Sequence, residues 1–187
     1  MFEEIRSGNV AYSLIRPINL YTMWFIKNIA SRLAKALLRF FSVMIFSFLL
    51  PYPYKFTPQI NLGTFLIFIL SMFLALLVVV GIIMLIYISA FYTLNPMGIR
   101  IVLISLCDFL SGAIIPLPFL PEKLRQIVEL TPFASMQNLP FLILGGHIQS
   151  IKMLQGVLLQ CFWAVALIAF GCYWLNKALQ KAVIQGG

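Results

Sequence analysis

The sequence predicts an all-α protein, a polytopic transmembrane helix bundle of about four spans. Three observations carry that reading. The chain is 62% hydrophobic and 10% charged, with a mean hydropathy of +1.01, whereas soluble domains are about half apolar and roughly a quarter charged. Its charge-free stretches reach the length of about 20 residues that a bilayer-crossing helix needs. Its 13 Lys and Arg residues gather at the ends of those stretches, as topology signals do. A soluble domain of 187 residues could not cover its surface with so few charges, so the bilayer is its solvent.

The whole chain, 1–187, reads as one membrane domain without internal repeat or linker. Residues 1–33 form an amphipathic cytoplasmic segment. Glu3, Glu4 and Arg6 make a charged head, Gly8 and Asn9 allow a turn, and Arg16-Pro17 interrupts the chain again. The first span is expected over 34–50, with Lys35 and Arg39 snorkelling to the headgroups, and Pro51, Pro53 and Pro58 stop it. No charge occurs between Lys55 and Arg100, so 62–92 is a second span, longer than one bilayer needs and therefore tilted or projecting. Asn95-Pro96 makes a turn. A third span is expected over 101–116, interrupted by Asp108 and ending in SGAIIPLPFLP, where Gly112, Pro116, Pro118 and Pro121 cannot continue a regular helix.

Residues 122–130, EKLRQIVEL, place Leu124, Ile127 and Val128 on one face, which predicts a short amphipathic helix flat on the interface. Residues 131–150 are apolar but broken by Pro132, Pro140, Gly145 and Gly146. Together with the preceding loop this gives a broken region over 117–150 that reads as a re-entrant or interfacial element, the former allowed only where protein or water shields its backbone. The last span is 153–176, closed by Lys177 and Lys181.

Four spans put both termini on one side of the membrane. With the termini in the cytoplasm, Arg6, Arg16, Lys27, Arg32, Lys35, Arg39, Arg100, Lys177 and Lys181 lie inside and only Lys55, Lys123, Arg125 and Lys152 outside, which the positive-inside rule favours. The net charge of +8 then serves topology and contact with anionic lipid; nucleic acid is not an expected partner.

Few residues carry chemistry. Asp108 stands alone inside a span; such a group lines a pathway, pairs with a cation on another helix, stays protonated or makes a structural hydrogen bond. Cys107, Cys161 and Cys172 lack pairing or metal spacing and read as inert buried thiols. His147, the only histidine, reads as a loop residue without a second ligand. Ser111 and Ser135 have no base near them in sequence, and G-x-S-x-G, H-E-x-x-H and paired-carboxylate patterns do not occur. No metal or catalytic residue is expected. The phosphate-binding pattern G-x-x-x-x-G-K-[ST] is missing too, so if ATP drives this protein another chain binds it. The N-terminal segment reads either as a docking element for a soluble partner or as a plain interfacial helix.

Three segments in order, EEIRSGNVAYSLIRP, SGAIIPLPFLP and EKLRQIVELTPFA followed by NLP, resemble the membrane subunit of type-2 ABC transporters, in particular the six-span bacterial permeases of the drug- and antibiotic-efflux branch. The resemblance covers nearly the whole chain. It implies that Glu3, Glu4, Ile5, Arg6, Gly8, Arg16 and Pro17 belong to the segment that couples to the ATPase. It also implies that Ser111, Gly112, Pro116, Pro121, Pro132 and Pro140 belong to an extracytoplasmic re-entrant hairpin. The four spans would match spans three to six, with the family's first two having no counterpart ahead of Glu3. The implied partners are a cytoplasmic ABC ATPase that holds ATP and Mg, a second permease subunit, identical or related, and membrane lipid. The implied activity is export of a hydrophobic or amphipathic compound across the bacterial cytoplasmic membrane. A membrane anchor or assembly protein without a transport cycle is the alternative; an intramembrane enzyme fits least, since the spans offer only Asp108.

Overall fold

The computed structural model describes residues 18–49, 51, 61–93, 96–146, 148 and 150–181. Among these the chain is helical, with no strand. Helix α1 is Leu20–Leu49, α2 is Leu62–Ser89 followed by a 3-10 turn Ala90–Tyr92, and α3 is Pro96–Leu110. After a 3-10 turn Leu117–Phe119 come α4, Glu122–Glu129, α5, Ala134–Leu144, and α6, Ser150–Lys181.

Capping chemistry sets the starts. Asn19 Oδ1 accepts from the Tyr21 amide at 2.9 Å, and Asn61 Oδ1 accepts from the Thr64 amide at 2.7 Å, so each Asn satisfies one donor that a helix N-terminus leaves free. Pro96 opens α3, where its missing N–H costs nothing. The break after α3 falls where the sequence places it. Ser111 and Gly112 turn the chain, and Gly112 takes φ +85°, a conformation that a side chain would strain.

Two boundaries differ from expectation. No break in the helix marks the division expected at 33/34: α1 runs unbroken from Leu20 to Leu49. That stretch holds no Gly or Pro, and charge at Lys27, Arg32, Lys35 and Arg39 does not stop a helix. Where a span is expected over 101–116 the helix is Pro96–Leu110, some 22 Å long and shorter than a hydrocarbon core of about 30 Å.

On length and apolarity two stretches can each cross a membrane, Leu62–Tyr92 and Ile151–Gln180; α4 and α5, bent by 102° at their junction, make up to three. The expected count of four is not reached on that criterion among the described residues. The bent pair has the geometry shared by broken spans and re-entrant elements.

Contacts fix the arrangement. Ser71 meets Gln160, Gly81 meets Leu167 and Tyr92 stacks on Trp174, so α2 and α6 run parallel. Helix α3 returns along α2, with Cys107 joining Val78, Ile82 and Ile86. The first third of α1 crosses the end where α2 and α6 finish: Leu20, Tyr21 and Trp24 pack with Met84, Ile88, Leu175 and Ala178. Beyond Arg32 every described side chain of α1 is exposed, as suits a helix bathed in lipid or covered by another chain.

Candidate functional site: a wedge helix between two parallel spans

Helix α5 lies in the groove between α2 and α6. It runs antiparallel to α6, since Ser135 is level with Gln160 and Leu139 with Gly156. Its fit is specified by one stripe of α6, whose residues recur at helical spacing and meet a different partner in turn. Gly156 leaves a notch for Leu139; a Cβ there would lie 2.6 Å from Leu139 Cδ1. Gln160, fully buried, binds α2 and α5 together. Its Nε2 donates to the Ser135 carbonyl at 2.8 Å and to the Ser71 carbonyl at 3.3 Å, and its Oε1 accepts from Ser71 Oγ at 2.9 Å. Trp163 Nε1 donates to the Leu130 carbonyl at 3.0 Å, fixing the bend between α4 and α5. Leu167 meets Gly81, and Gly171 meets Tyr21.

The α4–α5 bend is therefore level with Trp163, about 18 Å along α6 from its first turn. The end of α3 reaches the same level, because Leu110 packs with Leu117, Val128 and Ala134. Helix α3 thus covers one half of the α2–α6 pair and α5 the other. Helix α4 carries its charge outward, with an ion pair from Arg125 Nε to Glu129 Oε1 at 3.5 Å and Val128 buried beneath.

Beside the wedge is a cavity of about 360 Å³, lined by Ser111, Gly112 and Pro116 from the loop after α3 and by Gln137, Asn138 and Phe141 from α5, among others. The structure thus gathers three of the residues expected in the hairpin around one cavity. Pro121 precedes α4, Pro132 lies in the bend, and Pro140 sits buried inside α5. Asp108 stands apart, exposed in the last turn of α3, with Arg32 of α1 within its electrostatic reach. Among the described residues no cluster of His, Cys, Asp and Glu could hold a metal. Cys107 is buried, but Cys161 is exposed on the helix surface, against the expectation that all three thiols are buried. Apart from Gln160, α6 is apolar on every side there, so apolar neighbours in sequence do not mean burial. Glu3, Glu4, Ile5, Arg6, Gly8, Arg16 and Pro17 lie outside the described residues, as does His147.

A search for charges alone misses Gln160. It is the one amide side chain between Gln155 and Asn176, and an amide isolated in an apolar span is itself a signal, because burial there requires partners.

Such a bundle, apolar on its outside, with a bent helix pair let into the groove of two parallel spans, defines a polytopic α-helical membrane protein. Its family follows from comparison: the chain belongs to the ABC-2 family transporter proteins, which match residues 1–186. It is accordingly a membrane component of an ABC transporter, a class that works with an ABC ATPase and is not itself the catalytic subunit. No curated protein and no solved structure matches the chain.

Proposed function

We propose that this chain is the permease subunit of an ATP-driven exporter of the six-span drug- and antibiotic-efflux kind, moving a hydrophobic or amphipathic compound across the bacterial cytoplasmic membrane. The observation that carries this reading is the family match along essentially the entire chain, residues 1–186. Two permease subunits pair, and each meets a cytoplasmic ATPase through Glu3, Glu4, Ile5, Arg6, Gly8, Arg16 and Pro17. Both termini face the cytoplasm. ATP and Mg are held by the ATPase, and the permease binds no cofactor of its own. The ATPase's two states bias the permease because they contact this segment differently; without differential contact nothing would shift. Apolar and aromatic side chains suit an apolar cargo, and Asp108, exposed at the end of α3, is the candidate charged group along the path.

Co-expression with the cognate ABC ATPase and purification in detergent tests this. Co-elution with ATP hydrolysis is expected, and replacing Glu3, Glu4 and Arg6 together by Ala should abolish it. Co-elution that survives the triple replacement sinks the coupling assignment; no co-elution of the parent, even with two preceding spans supplied, sinks the permease reading.

A further inference from the structure

We infer that Gln160 is the positioning residue that latches α5, and that α5 is a hinged wedge exchanging between a seated state, in the α2–α6 groove, and an unseated one. The inference goes beyond the permease reading and does not depend on it, since neither ATPase nor cargo enters the argument or its test.

Both ends of α5 are built to turn. At one end the chain bends by 102° through Thr131, Pro132 and Phe133. At the other, Gly145-Gly146 ends the helix, and Gly146 takes φ +68° with open space where a Cβ would be. Within α5, Pro140 removes the N–H that would otherwise bond the Met136 carbonyl, which weakens the helix as a rigid rod. Between the hinges Leu139 fills the notch at Gly156 and Ala134, Pro140 and Ile143 are buried; these contacts are apolar, and lipid tails as apolar as the groove can take their place. Lipid cannot replace the amide bonds. Among the described residues Gln160 is the single side chain that hydrogen-bonds both α2 and α5, and each carbonyl it reaches belongs to a helix already bonding internally. Losing the amide therefore unlatches α5 without unravelling a helix.

The test is hydrogen–deuterium exchange of the full chain in lipid nanodiscs. Gln160→Met keeps the volume and removes the donors and the acceptor. It should raise exchange of the α5 amides at least about tenfold, the factor that one to two net hydrogen bonds represent, with α6 beyond Trp163 unchanged. Ser71→Ala removes only the hydroxyl donor and should give a smaller rise in the same segment. Gln160→Glu supplies a second, graded probe. Protonated, its O–H still donates to a carbonyl; ionised, it sets negative charge against the Ser71 and Ser135 carbonyls. Its exchange relative to the parent at the same pH should therefore approach that of the parent in acid and climb as pH rises. A rise spread evenly over all helices in Gln160→Met, or no rise in α5, overturns the latch. So does a Gln160→Glu to parent ratio that stays flat with pH.

Discussion

Three glycines face a partner closely enough that adding one methyl group tests the packing, and the three should not cost the same. A Cβ at Gly156 would meet Leu139 Cδ1 at 2.6 Å, at Gly171 the Tyr21 hydroxyl oxygen at 2.8 Å, and at Gly81 Leu167 Cβ at 2.9 Å. Distance alone ranks Gly156 worst. The identity of the struck atom reverses that order. Leu139 Cδ1 is the free end of a side chain that rotates about two bonds, so Gly156→Ala is absorbed by a rotamer change. Leu167 Cβ is bonded to the backbone, so Gly81→Ala moves helix α6 away from α2 by several tenths of an ångström. Overpacking of that kind costs about 1–3 kcal/mol. In each case Ala also favours the helix over Gly by about 1 kcal/mol, leaving Gly81→Ala destabilised by up to about 2 kcal/mol and Gly156→Ala neutral to slightly stabilised. At about 2–4 °C per kcal/mol for a chain of this length, a thermal melt in detergent should place Gly81→Ala below the parent by up to roughly 8 °C and Gly156→Ala at or slightly above it. Gly171→Ala should fall between, because the Tyr21 ring is stiff but can tilt. If Gly156→Ala melts lower than Gly81→Ala, the argument from atom identity fails.

Two further substitutions probe the bend and the charge. Trp163→Phe keeps an aromatic ring and loses the bond to the Leu130 carbonyl; it should lower stability by about 1 kcal/mol and raise amide exchange at Thr131 and Ala134 more than in α2. If exchange is unchanged there, the indole does not hold the bend. Asp108→Asn removes an exposed charge within reach of Arg32; stability should change by less than about 0.5 kcal/mol while cargo export falls several-fold with ATP hydrolysis retained. Full export in that variant removes Asp108 from the path.

Much of the layout is legible in the sequence because it follows from strong local rules. The uncharged stretch to Tyr92 is a helix since nothing in it breaks one, and SGAIIPLP ends α3 since Gly112 and Pro116 do. The short amphipathic helix at Glu122–Glu129 follows from its apolar spacing. The start of α1 is harder to see, because two signals compete there. Basic side chains at Lys27, Arg32, Lys35 and Arg39 suggest a boundary between a surface segment and a span. Asn19 is the signal that decides: it caps the helix well ahead of all four, and the charges ride on one continuous rod. The wedge is the least legible part. Its groove depends on which residues of α2 and α6 face each other, a tertiary fact, and Gln160 and Ser71 are 89 positions apart. The broken apolar stretch at 131–150 signals an irregular element but not its depth.

The two ends of α6 hold their partners differently, and the difference bears on how motion passes along it. At the α5 end the buried amide of Gln160 has both its nitrogen and its oxygen bonded. At the α1 end, where Tyr21 rests on Gly171, Tyr21 Oη and Trp24 Nε1 are buried without a hydrogen-bond partner among the described residues. Tyr21 and Trp24 hold the α1 end by packing against α2 and α6, and apolar packing lets a helix rock without breaking a hydrogen bond. From Gly171 to Gly156 is about 22 Å along the axis, so a tilt of roughly 5° about the α1 contact displaces the Leu139 notch by about 2 Å. At Gln160, about 16 Å from Gly171, the same tilt moves the amide by about 1.4 Å, enough to break its bond to the Ser135 carbonyl if α5 does not follow. Because α2 and α6 are locked together at Gly81 and Leu167, they tilt as one body, and a small movement at the α1 end arrives at α5 as a choice between staying seated and letting go.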